Sequence, residues 1–217
     1  MKKSLYSLIL SDGVVSEIDR LAYKANTNRS NMINQILAEY VSYTTPEKRM
    51  EQIFERLMNI LTPSETFQTL MGNSLSVLNL RSSLDFKYNP SVKYSIELYR
   101  AKQGEIGHLK VSLRTQNPTL TLYMMQFYKL WAKTESAYIK DAEYEIDGDK
   151  FIRKLKLSVT KEISTEKLGE LIAEYIKAFD RAMKAFFYNI NINETQNAIY
   201  NVEKIYREYL QNCETGI

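Results

Sequence analysis

Residues Lys3 to Leu10 alternate along eight positions, with Tyr6, Leu8 and Leu10 on one face and Lys3, Leu5, Ser7 and Ile9 on the other. That is the period of a strand with one buried side. Two helices follow it before any other strand pattern begins. Ser11-Asp12 supplies an N-cap and a first-turn acid, after which Val14, Ile18, Leu21, Ala22 and Ala25 recur at helical spacing. Asn26-Thr27 ends this helix, because Asn is second only to Gly in the left-handed conformation that stops helices. Asn28 caps the next helix, which carries Ile33, Ile36, Leu37, Tyr40 and Val41, and Thr44-Thr45-Pro46 closes the segment. The difficulty with such a unit is physical. A lone strand has no partner for its backbone groups, and about 40 residues rarely bury enough apolar surface to fold alone. The spacing therefore predicts a dimer in which the strand pairs antiparallel with its copy, with Tyr6, Leu8 and Leu10 as the dimer core.

These residues resemble the ribbon-helix-helix DNA-binding proteins of the CopG, Arc and MetJ type. The resemblance covers Lys3 to Val41: the short strand ending Leu10-Ser11, the helix with Val14, Ile18, Leu21 and Ala22, the junction Asn26-Thr27-Asn28-Arg29-Ser30, and Ile33, Ile36 and Leu37. It implies a homodimer whose two-stranded ribbon enters the major groove of double-stranded DNA. Lys3, Leu5, Ser7 and Ile9 would then face base edges, and Asn28, Arg29, Ser30 and Asn31 would meet phosphate at the start of the second helix. The chain departs from the family in two places. Asn26 stands where the family commonly has Gly, and Leu5 and Ile9 offer only apolar contact, for example to thymine methyls. Two other readings of the segment stay open: a dimerisation arm that never touches DNA, and a helix-turn-helix, which leaves the strand unexplained.

At 217 residues the chain exceeds the usual single-domain size, so a second module is expected. Residues 46–72 read as linker helices: one opens at Pro46-Glu47 with Met50, Ile53, Phe54, Leu57 and Leu61 on one face, and a short second one starts at Thr62-Pro63-Ser64-Glu65 and runs to Met71. From residue 73 the period changes to two. Ser76–Phe86, Val92–Arg100 and His108–Arg114 read as antiparallel strands, separated by turns at Asn89-Pro90 and Lys102-Gln103-Gly104. Pro118 to about Ile139, with Leu122, Met125, Phe127, Leu130 and Trp131, reads best as a helix, with a strand over Thr119–Tyr123 as the alternative. Glu143–Ile146 and Lys150–Val159 flank the Asp-Gly turn of a hairpin. Two long helices finish the chain. One begins at Ser164 and carries Leu168, Ile172, Tyr175, Phe179, Met183 and Phe186; the other is capped by Asn193 and carries Ile199, Val202, Tyr206 and Tyr209. The expected class is α+β: a strand-helix-helix module at 1–45, then an antiparallel sheet covered by long helices at 73–217, serving ligand sensing or protein interaction.

Chemistry is bounded by what is scarce. Cys213 is the single cysteine and His108 the single histidine, too few for a zinc or nickel site within one chain or for a Ser-His-Asp constellation with a free choice of base. The acidic run from Asp141 to Asp149 does not fit a calcium loop, since Lys154 stands where the bidentate Glu is required. No metal, no cofactor and no catalytic residue is expected. Any effector of the second module would be organic or a protein, held near Phe127, Trp131, Tyr175 and Phe179. No signal peptide core or membrane span is read, so the expected location is the cytoplasm. The net charge of +3, from 29 basic and 26 acidic residues, permits nucleic acid without indicating it. The leading reading is a homodimeric, or higher-oligomeric, sequence-specific transcriptional repressor rather than an enzyme. Two alternatives stay open: an antitoxin or plasmid-maintenance protein whose second module holds a protein partner, and a purely structural assembly protein without DNA.

Overall fold

The computed structural model describes residues 5–72, 74–100, 104–157, 163–191 and 194–213. The chain divides into two compact units, Met1–Arg49 and Met50–Ile217.

In the first unit, α1 spans Asp12–Lys24 and α2 spans Arg29–Tyr40. Both end in the same hydrogen-bonded motif. After α1, the Asn26 N–H donates to Tyr23 O and the Thr27 N–H to Ala22 O, with Asn26 left-handed at φ 48°. After α2, Ser42 takes the left-handed place at φ 54°, and the Tyr43 N–H reaches Ala38 O at 2.7 Å. The core of the unit is small: Ile18, Ala22 and Met32, with Ile33 packed against them. The expected stripes are only partly covered. Val14, Leu21, Ile36, Leu37, Tyr40 and Val41 are exposed, because two helices in contact along one line can cover only one narrow side of each other.

The strand expected over Lys3–Leu10 is not a strand here. Residues 5–11 have no regular structure and residues 5–10 are all exposed, Leu5 and Ile9 fully so. A strand exists through the ladder it shares with a neighbour, and this chain supplies none to that segment. The described chain thus begins with helices, and the α+β class rests on the second unit.

That unit is built on a six-stranded antiparallel sheet, in the order β1-β2-β3-β4-β6-β5. Its strands are β1 (Phe67–Thr69), β2 (Val77–Ser83), β3 (Ser91–Leu98), β4 (Gly104–Leu113), β5 (Tyr144–Asp147) and β6 (Lys150–Leu157). Its helices are α3 (Pro46–Leu61), of which it holds the part from Met50 on, α4 (Pro118–Ser136), α5 (Thr165–Asn191) and α6 (Thr195–Asn212). Alternation sends Val92, Tyr94, Ile96 and Leu98 of β3, and Phe151, Leu155 and Leu157 of β6, into one core shared with the helices. The opposite sheet face carries Lys93, Ser95, Lys110, Ser112 and Lys154 and is wet, the usual condition of an antiparallel sheet.

Three elements differ from the expectation. Segment 46–72 is not a pair of linker helices: the apolar stripe of α3 lies in the core, only a single 3-10 turn follows at Thr62–Ser64, and β1 then joins the sheet through Phe67↔Ser82. Phe67 anchors it by meeting Tyr94 edge to face, ring centroids 5.5 Å apart. β4 starts at Gly104 rather than His108, across a bulge between Glu105 and Gly107 that breaks the alternation. At Gly107 a Cβ would lie 2.1 Å from Glu97 O, so only Gly fits beside β3. α4 buries Leu120, Met124, Phe127, Tyr128 and Trp131, a stripe rotated from the expected one, and leaves Leu122 exposed. Asn193, the expected cap of α6, lies outside the described residues.

Candidate nucleic-acid interface

Leu5 to Leu10 lead directly into α1. Tyr6, Leu8 and Leu10, expected as a dimer core, are exposed in the single chain, as are Leu5, Ser7 and Ile9. Lys3 lies outside the described residues. The segment is thus a run of exposed apolar side chains leading into two helices whose own apolar stripes are uncovered, far more apolar surface than the buried Ile18, Ala22, Met32 and Ala38 balance. Ser11 occupies the N-cap of α1 in extended backbone without a side-chain cap bond, so Asp12 is the local complement to the helix dipole.

The start of α2 is ordered by its cap. Asn28 Oδ1 accepts from the Asn31 N–H at 2.9 Å, and Asn28 O accepts from the Met32 N–H at 3.0 Å. The N–H groups of Arg29 and Ser30 have no partner among the described residues and remain for an anion. The Arg29 side chain, which the resemblance places against phosphate, is paired with a carboxylate in this structure. Its Nε and Nη2 bind the two carboxylate oxygens of Asp19 at 2.7 and 2.6 Å. The hydrogen bonds from Arg29 hold the Asp19 carboxyl below its ordinary range, and Asp19 raises the guanidinium in turn. This bidentate pair joins α1 to α2 across ten residues of sequence, a contact that helical periodicity does not signal. Ser30 is exposed and Asn31 half-buried.

The second unit holds no aromatic pocket at the expected place. Phe127, Trp131, Tyr175 and Phe179 are buried against one another, with Trp131–Phe179 and Phe127–Phe179 centroids at 5.1 and 5.2 Å, and they are core. Beside them lies a polar network that the sequence pattern did not reveal. Arg153 of β6 and Glu135 of α4 form a fully buried ion pair at 2.8 Å. Tyr175 donates to the second oxygen of Glu135 at 2.8 Å and accepts from the Trp131 indole N–H at 2.8 Å. Burial pushes the Tyr175 hydroxyl well above its ordinary pKa. Burial by itself would lower Arg153, but Tyr175 and Glu135 more than offset it and the guanidinium stays charged. The network is sealed in the core and presents no group to a ligand. An open cleft of about 620 Å³ lies elsewhere, between the β2–β3 turn and α5–α6, lined by Ser83, Asn89, Arg181, Lys184, Tyr188 and Asn201. That volume is within the range of small-molecule sites.

His108 is half-buried on the wet sheet face, 3.0 Å from the Tyr99 hydroxyl and 3.6 Å from Glu97. Cys213 is buried at the end of α6, where burial pushes its thiol up. No group of three or more metal-ligating side chains occurs among the described residues. No described helix is long and apolar enough to cross a membrane. The chain matches no protein-family model, no curated protein and no solved structure.

Proposed function

We propose that this protein is a homodimeric, sequence-specific DNA-binding regulator that represses transcription through a two-stranded ribbon made by Lys3–Leu10 of two copies. The observation that carries this reading is the uncovered surface of the first unit. An alternating segment with Tyr6, Leu8 and Leu10 exposed stands next to helices that expose Val14, Leu21, Ile36 and Leu37. A second copy supplies at once the missing ladder and the missing apolar cover. In that arrangement Lys3, Leu5, Ser7 and Ile9 face outward, the hydrogen-bonding readout falls to Lys3 and Ser7, and Leu5 and Ile9 contact thymine methyls. The Arg29 and Ser30 N–H groups at the start of α2 take phosphate, and the second unit serves an effector or a partner.

Selection of bound fragments from a random duplex pool tests the reading. A recurrent motif with two half-sites is expected, since a two-fold protein reads a two-fold site. Ser7→Ala should then change which sequences are preferred, at about 1–3 kcal/mol for a good base contact. Failure to enrich any sequence, or an unaltered preference in both the Ser7→Ala and Lys3→Ala proteins, overturns it.

A further inference from the structure

The wet face of the sheet in the second unit is divided by charge. Toward one end its cations are neutralised: Lys154 lies 2.7 Å from Glu143 and 3.6 Å from Glu105, Lys156 pairs with Glu143, and His108 faces Glu97. Toward the other end they are not. Arg81 of β2 is directly opposite Lys93 of β3, Lys93 is opposite Ser112 of β4, and Ser112 is opposite Lys150 of β6. Lys110 stands one step further along β4, opposite Ser95. Among the described residues none of these four cations lies within ion-pair distance of a carboxylate. Arg81 donates only to the neutral Gln68 side chain, at 2.7 and 2.9 Å, and Asp147, in register with Lys150, forms no ion pair with it.

Like charges directly opposite in a sheet are destabilising, so this arrangement is unfavourable unless an anion occupies it. Three strand spacings of about 4.8 Å and one same-face repeat of about 6.8 Å put the four side chains on a patch about 14 Å long across the strands and about 7 Å wide along them. That is similar to the width of about 12 Å of the major groove, so several phosphates fall within reach. The outward positions around the patch are Gln68, Asn79, Ser95, Ser112 and Ile152, with Glu145 and Asp147 of β5 bordering it on the Lys150 side, and they include no aromatic ring on which an unstacked base could lie. They also include no exposed large apolar side chain to enter a lipid layer. We propose that this end of the open sheet face, centred on Lys93 and Lys110, binds the phosphate backbone of duplex nucleic acid without reading its sequence. The site is separate from the ribbon and does not depend on it.

The test uses the full-length protein, a labelled mixed-sequence duplex and fluorescence anisotropy over a range of salt. Replacing Lys93, Lys110 and Lys150 together by Gln should weaken binding and flatten the slope of log affinity against log salt by about three, near one unit for each phosphate no longer neutralised. Lys129→Gln/Lys133→Gln, which removes two exposed lysines from α4, controls for charge alone and should move the slope by less than one unit. All these side chains leave the core untouched, and thermal melts by circular dichroism confirm that the variants fold. In a Leu8→Asp background the same difference in slope should persist, so failure of the ribbon and failure of this site are told apart. The proposal is overturned if wild-type protein does not bind the duplex, or if the triple variant keeps its slope. It is also overturned if the control flattens the slope equally, or if the triple substitution abolishes binding to phosphatidylserine vesicles and leaves DNA binding intact.

Discussion

Arg153 and Glu135 form the one described ion pair buried on both sides, and their energetics follow from that. Two charges removed from water each carry a desolvation cost of several kcal/mol, which their attraction and hydrogen bonds offset only while both are present. Here the offset is well built. Glu135 accepts from Arg153 through one oxygen and from Tyr175 through the other, and Arg153 also lies over the Tyr175 ring at 4.7 Å. Arg153→Met should therefore destabilise the second unit by about 3–5 kcal/mol, because a carboxylate is left buried with a single neutral donor. Arg153→Met combined with Glu135→Leu should recover most of that loss, since no charge then remains to be satisfied. Urea unfolding of the two variants measures this directly. A double variant at least as unstable as the single one would mean that the pair is a net source of stability, contrary to the expectation.

At the scale of elements, local chemistry and period specify most of what forms. The stop at Asn26 and the cap at Asn28 are readable because a left-handed position and an N-cap have strong residue preferences. β3 and β6 are readable from alternation, since one face of each is buried throughout, while β2 buries Asn79 between Leu78 and Leu80 and β5 is only half-buried on its inner face. What escapes reading has physical causes. β1 is three residues long, too short for a period of two to appear. The bulge at Gly107 breaks the alternation at the start of β4. α4 is apolar on most sides, so the phase of its buried stripe is set by α5 and α6 rather than by its own pattern. Arg29–Asp19 and Arg153–Glu135 join residues from different elements, and charge type alone does not say which partner is met. The N-terminal segment is the reverse case, where alternation is legible but residues 5–11 form no ladder within the described residues. If the ribbon reading holds, Leu8→Asp places an unpaired carboxylate in the dimer core at a cost of several kcal/mol, about a hundredfold or more in dimer dissociation. Sedimentation should show a wild-type dimer and a Leu8→Asp monomer at the same concentration. A Leu8→Asp protein that remains fully dimeric would rule out the ribbon as the interface.

The whole molecule combines two units of unequal self-sufficiency. The second has a continuous core running through α3, the sheet and α4–α6, including the fully buried Trp131, Phe127, Phe151, Phe179 and Phe187. Among its described residues the first buries four apolar side chains, Ile18, Ala22, Met32 and Ala38, far too few to offset the conformational entropy of ordering two helices. On the proposed reading its stability comes from association, since any species that binds only the folded state stabilises it by mass action. For a homodimer that species is the protein itself. Thermal unfolding should accordingly show two transitions: a lower one from the first unit whose midpoint rises with protein concentration, and a higher one from the second unit that does not move. Addition of duplex DNA should raise the lower midpoint further. The Leu8→Asp protein should keep the upper transition unchanged, while the lower one broadens or falls below the accessible range. Calorimetry at concentrations a hundredfold apart distinguishes the alternatives, because a tenfold change in concentration acts on the dimer equilibrium by about 1.4 kcal/mol. A single transition at a concentration-independent temperature would mean that the first unit is stabilised within one chain, and would remove the physical reason for assigning its exposed apolar row to a second copy.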